Sequence, residues 1–239
     1  MKPYQKIPIV ECGEPLVAIP CNHFAVEHPH PYVKAGAPYG DKSPYYLRQT
    51  VVERLLQAQA ALQDRCPRWR IQIFDAYRPL AVQQYMVNYS FAQVVADQGL
   101  RLDELTEAQR ERCWQQVYQF WAVPSSDPTT PPPHSTGAAI DVTLVDAIGA
   151  VVDMGSPIDE MTPRSYPNYF ADQVGGSRFH QHRQLLRHSM ESAGFRQHPR
   201  EWWHFSWGDQ LWAWLSNQEP INSHELLSHL TPIAQYGAI

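Results

Sequence analysis

The sequence predicts an α+β fold, a small and mainly antiparallel sheet flanked by helices. Three observations predict it. Four long segments repeat apolar residues at helical spacing, and several short runs alternate apolar with polar residues. The chain has 239 residues, 44% of them hydrophobic, with no obvious internal linker, which suits one domain over 1–239 with one sizeable core. It carries 21 prolines against 12 glycines, so its connections should be stiff and ordered.

Residues 1–43 are rich in Pro, His and Tyr with little periodicity and predict an irregular arm. From Pro44, "YYLRQTVVERLLQAQAALQDRC" places apolar residues at 47, 51, 52, 55, 58 and 62, a helical stripe that Pro67 ends. "RIQIFDAYRP" alternates Ile71 and Ile73 with Gln72 and predicts a strand that leaves the sheet at Arg78-Pro79. "LAVQQYMVNYSFAQVVADQG" and "TEAQRERCWQQVYQFWAV" predict two more helices, the first closed by Gly99. After a loop at 123–133, "AAIDVTLVD" and "AIGAVVDM" predict a hairpin turning near Gly149. A second loop covers 155–177. "RFHQHRQLLRHSMESAG" predicts a helix capped by Gly194, "EWWHFSW" a short strand, and "DQLWAWLS" a helical turn or two. Residues 218–239 form a weakly patterned tail.

Composition removes several functions. A net charge of −5 gives no electrostatic footprint for nucleic acid or an anionic membrane. No stretch approaches the roughly 18 apolar residues of a membrane span. The N-terminal residues lack the apolar run of a secretory signal, so a cytoplasmic protein with reduced thiols at Cys12, Cys21, Cys66 and Cys113 is expected. No GxSxG, phosphate loop, dinucleotide fingerprint or HExxH is present.

The chemistry concentrates in "PPPHSTGAAIDVTL". In a strand over 138–144, Ile140, Val142 and Leu144 share one face and Asp141 projects from the other. His134 would lie more than ~20 Å away in an extended chain. The chain must fold back for the two to meet, and Gly137 permits it. On these residues alone the segment is either a loop with a strand-edge Asp or half of a metal site. In "EWWHFSW", Trp203, Phe205 and Trp207 suit the core, and Glu201 reaches the face of His204 only from a bend after Pro199. His134, Asp141 and His204 would then form a three-ligand set with an open position, the arrangement of catalytic zinc.

The pattern HxxGxAxD in "HSTGAAID", followed by ExxH in "EWWH", resembles the D-alanyl-D-alanine dipeptidases and their carboxypeptidase relatives. "FDAYRP", the paired tryptophans of "EWWHF" and "MGSPIDEM" look most like the VanX-type zinc peptidases. The resemblance implies one zinc per chain on His134, Asp141 and His204, and Glu201 as catalytic acid/base. It places Arg78 near the scissile carbonyl and Asp159 at the substrate's ammonium. The implied substrate is a small D-alanyl-D-alanine-type dipeptide; a carboxypeptidase acting on longer cell-wall peptides and a non-catalytic zinc-stabilised binding domain are the alternatives. Two positions depart from the family: Pro132 stands where it usually has a serine, and Val17 where a substrate-contacting tyrosine is expected. His28, His30, His180 and His182 are expected to be non-ligands. Arg78 could instead pair with Asp75 at the strand end, and Asp159 could cap a loop.

Overall fold

The computed structural model describes residues 2–218 and 233–239; residues 219–232, most of the expected tail, lie outside the described residues. A five-stranded sheet organises the chain in the order β2 (Ala25–Val26), β4 (Arg70–Asp75), β5 (Ala139–Val145), β7 (His204–Ser206) and β6 (Arg196–Gln197). The β2–β4 pair is parallel and every other pair is antiparallel. A separate two-stranded sheet joins β1 (Leu16–Ala18) to β3 (Tyr46–Arg48). The expected α+β architecture is therefore present.

Helix α2 (Gln49–Arg65) buries Val51, Val52, Leu55, Ala58 and Leu62, the stripe read from the sequence. It begins later than expected, because Tyr46–Arg48 pairs with β1 before the helix starts. Together with α5 (Ser177–Ser192) it covers the sheet face formed by Ile71, Ile73, Ile140, Val142 and Leu144. A second apolar cluster joins α3 (Leu80–Asp97) and α4 (Glu107–Phe120) and also takes in Tyr32, Tyr39 and Phe74. Helix α6 (Gln210–Ser216) begins at Asp209, whose side chain accepts from the Trp212 N–H at 2.8 Å and caps it.

Three expectations change. The hairpin after β5 shrinks to a bridge between Val145 and Val151, because β5 takes β4 and β7 as its neighbours. The final strand is only three residues long, and Glu201 lies in the turn before it. The arm is partly regular: it supplies β1, β2 and α1 (Pro31–Lys34), and a 3₁₀ turn at Pro3–Lys6 packs on α6. All four cysteines are free thiols. No helix among the described residues is long and apolar enough to cross a membrane.

Candidate metal centre and active-site cleft

The strand registers assemble the polar face of the sheet. Asp141 on β5 stands opposite His204 on β7 and opposite Asp75 on β4. In antiparallel neighbours, opposed residues point to the same face. Strict alternation would send Asp75 to the core with Ile71 and Ile73. The register slips between Ile73 and Asp75, and this bulge at Phe74 turns Asp75 to the side of Asp141.

His134 arrives by a tight reversal. Pro132 and Pro133 lead into a 3₁₀ turn over Pro133–Thr136, and Gly137 follows with φ 71°. A Cβ on Gly137 would run into the Leu16 side chain, so the turn needs glycine for its conformation and for its space. The Arg48 guanidinium donates to the Thr136 carbonyl at 2.9 Å, and the Arg48 N–H donates to Gly137 at the same distance.

The ring of His134 lies 2.8 Å from the Ala76 carbonyl through Nδ1, which makes Nδ1 the N–H donor. Its Nε2 lone pair then faces Asp141 Oδ2 at 3.2 Å and His204 Nδ1 at 3.2 Å. His204 Nδ1 lies 3.0 Å from Asp141 Oδ1, and its Nε2 lies 3.4 Å from the Ser206 hydroxyl. One ligand atom from each of His134, Asp141 and His204 falls within 4.8 Å of the other two, and all three residues are buried. A tetrahedral ion with zinc-like bond lengths spaces its ligand atoms about 3.3–3.4 Å apart. Two imidazoles and a carboxylate at this separation fit such an ion.

Glu201 stands beside the set. Its Oε2 is 3.7 Å from His204 Nδ1 and its Oε1 is 3.6 Å from His198 Nδ1. Burial, reinforced by the Asp141 charge and opposed by His204, pushes Glu201 up to about 7. Asp141 behaves oppositely: burial alone would raise it, but His134 and His204 outweigh burial and hold it well below the usual carboxylate range.

Arg78 forms the other wall. Its Nε donates to Asp75 at 2.9 Å, Nη1 to Gln83 at 2.9 Å, and Nη2 to the Tyr32 hydroxyl at 3.2 Å and Asp141 at 3.3 Å. The guanidinium also lies over the Tyr32 and Trp121 rings. The Asp75 pairing considered from the sequence is thus real, and it holds Arg78 at the cleft. Asp159, at φ 65°, accepts from the Tyr32 hydroxyl at 2.8 Å. Burial and then Asp141 push it up to about 7. Its loop is fixed by buried Arg183, which donates to the carbonyls of Met154, Arg164 and Tyr166. All six residues singled out in the sequence line one cleft.

Several neighbours escaped sequence reasoning: Tyr32, His198, Lys2 and Tyr4. Asp75 was considered only as a partner of Arg78, and its place opposite Asp141 was not expected. The others sit in unpatterned segments with nothing local to mark them. His28, His180 and His182 lie outside the ligand set; His30 also does, but its Nε2 contacts Asp75 at 3.2 Å.

Comparison with known proteins gives concordant results. A D-alanyl-D-alanine dipeptidase of Synechocystis sp. is 53% identical over 247 residues, covering 100% of this chain and 97% of its own. Enzymes of the same description from Enterococcus faecalis and Escherichia coli are 41% identical over 78 residues and 42% over 72. The first match covers 32% of this chain and 37% of the relative, the second 30% and 36%. The family model described as D-ala-D-ala dipeptidase matches residues 26–225. With most of the chain matched and a relative similar along its whole length, the protein is a peptidase that belongs to the M15 family.

Proposed function

We propose that the protein is a zinc dipeptidase that hydrolyses D-alanyl-D-alanine-type dipeptides. The observation that carries this reading is the placement of Glu201 beside, and not within, the buried set of His134, Asp141 and His204. That set would hold one zinc ion per chain. Bound there, zinc supplies Lewis acidity, polarising a carbonyl oxygen and making water more acidic.

The chain's own groups do the rest. Glu201 accepts the proton of the attacking water and returns it to the leaving amine, a role suited to a carboxylate raised to about 7. Arg78 stabilises negative charge developing on the scissile carbonyl oxygen. Four of its five N–H groups already have acceptors, which fixes the guanidinium and leaves one Nη1 N–H for the substrate. Asp159 receives the substrate's free ammonium: Tyr32 occupies one of its carboxylate oxygens and the other remains available. Phe120, Trp121, Trp203 and Leu211 give the cleft apolar walls against which small side chains can pack. The preference for D-residues is taken from the relatives.

The deciding experiment compares substrate lengths on zinc-loaded enzyme. D-Ala-D-Ala should be cleaved at least ~100-fold more efficiently than its N-acetylated form or a tripeptide ending in D-Ala-D-Ala, a difference of about 2.7 kcal/mol. Equal kcat/KM for free and capped substrates would overturn the dipeptidase reading in favour of a carboxypeptidase.

A further inference from the structure

The cleft holds a cation to which the mechanism above gives no task. Lys2 enters from the arm and lines the cleft beside Tyr4. Its ammonium donates to the Trp121 carbonyl at 3.3 Å, and no carboxylate among the described residues forms an ion pair with it. Burial pulls Lys2 below the usual lysine range, with the Glu201 charge acting the other way. A cation partly withdrawn from water, with one neutral acceptor, gains from any anion that reaches it.

Its position is built. Tyr4 is 5% exposed, and the Lys2 backbone N–H donates to Gln5 Oε1 at 2.8 Å. Gln210 on α6 donates through Nε2 to the Ile7 carbonyl at 2.7 Å and the Thr129 carbonyl at 2.9 Å, tying the arm to the body. The charge of Lys2 is felt by Glu201 and His198. Asp159 instead feels Asp141, Arg78 and Asp75. Lys2, held at the Trp121 carbonyl, and Asp159, held at the Tyr32 hydroxyl, thus bring opposite charges to the one cleft that contains the ligand cluster. Of the other groups lining the cleft, Pro133 offers no N–H to an anion, and Arg78 is already paired with two aspartates.

We infer that Lys2 binds the free carboxylate at the C-terminal end of the substrate and is a specificity-determining residue of this enzyme. The inference rests on the dipeptide reading. A zwitterionic dipeptide presents an ammonium and a carboxylate on either side of one scissile bond, and Asp159 and Lys2 match those two charges.

The test measures kcat/KM for D-Ala-D-Ala and for its C-terminal amide with wild type, Lys2→Met and Lys2→Arg. Lys2→Met should lower the value for the free acid at least ~10-fold, mainly through KM, and leave the amide unchanged; Lys2→Arg should restore most of the loss. Equal losses on both substrates would show that Lys2 acts through Glu201 or the fold, and would overturn the assignment. Calorimetric binding of D-Ala-D-Ala in the Glu201→Gln background, with and without Lys2→Met, separates this inference from the dipeptidase reading. If wild type hydrolyses neither compound, that reading fails, yet an affinity for the free acid lost in Lys2→Met would still support the carboxylate site. Equal binding by both variants, or none by either, would overturn it.

Discussion

Glu201 and His134 differ in what their loss should remove. Glu201 lies 3.7 Å from His204 and contributes no atom to the mutual ligand set, whereas His134 faces both other members through Nε2. Glu201→Gln keeps the shape and the hydrogen-bonding capacity but cannot accept the water's proton. The expected outcome is full zinc content with kcat down at least ~100-fold. His134→Ala removes a ligand and should emerge without stoichiometric zinc. Metal analysis alongside steady-state kinetics distinguishes the two, and a metal-free Glu201→Gln protein would make Glu201 a ligand instead of a base.

At the scale of elements, the turn that delivers His134 depends on Gly137. Forcing a β-carbon into φ 71° costs about 1–2 kcal/mol, and the Leu16 side chain occupies the space it would need. Gly137→Ala should therefore lower Tm and also weaken zinc binding, since the displaced turn carries the ligand. A drop in Tm with unchanged zinc affinity would separate the turn from the ligand geometry. The candidate triad came from the family resemblance of HxxGxAxD and ExxH, since His204 follows Asp141 by 63 positions, whereas the stripe of α2 was legible because 3.6-residue spacing is local. The face that Asp75 takes was not legible: alternation along β4 assigns it to the core, and only the bulge at Phe74 reverses it. The hairpin after β5 is shorter than expected for a related reason, since the pairing of β5 with β4 and β7 is written in distant segments. Tyr32 is hidden similarly, meeting Asp159 across 127 positions of sequence.

For the whole molecule, the ligand cluster joins β5, β7 and the 3₁₀ turn, so an ion held there braces elements distant in sequence. Ligand binding to the folded state adds about 2.7 kcal/mol at a hundredfold excess over Kd. For a chain of this size that corresponds to a Tm shift of roughly 5–10 °C. Chelation should lower Tm by that amount and zinc should restore it; an unchanged melting curve would place the metal outside the cluster. A further consequence follows from how the arm is held. Val10 and Cys12 donate to the carbonyls of Ala234 and Gln235, Arg48 reaches Gly237, and Gln210 grips Ile7. The arm therefore finds these partners more than 200 positions later in the sequence. The sheet can pair while those partners are still being made, but the wall bearing Lys2 and Tyr4 cannot close until they emerge. Between the emergence of His204 and that of Ala234 the three ligand residues can assemble with this wall still open, an interval in which an ion can enter before the arm narrows the entrance.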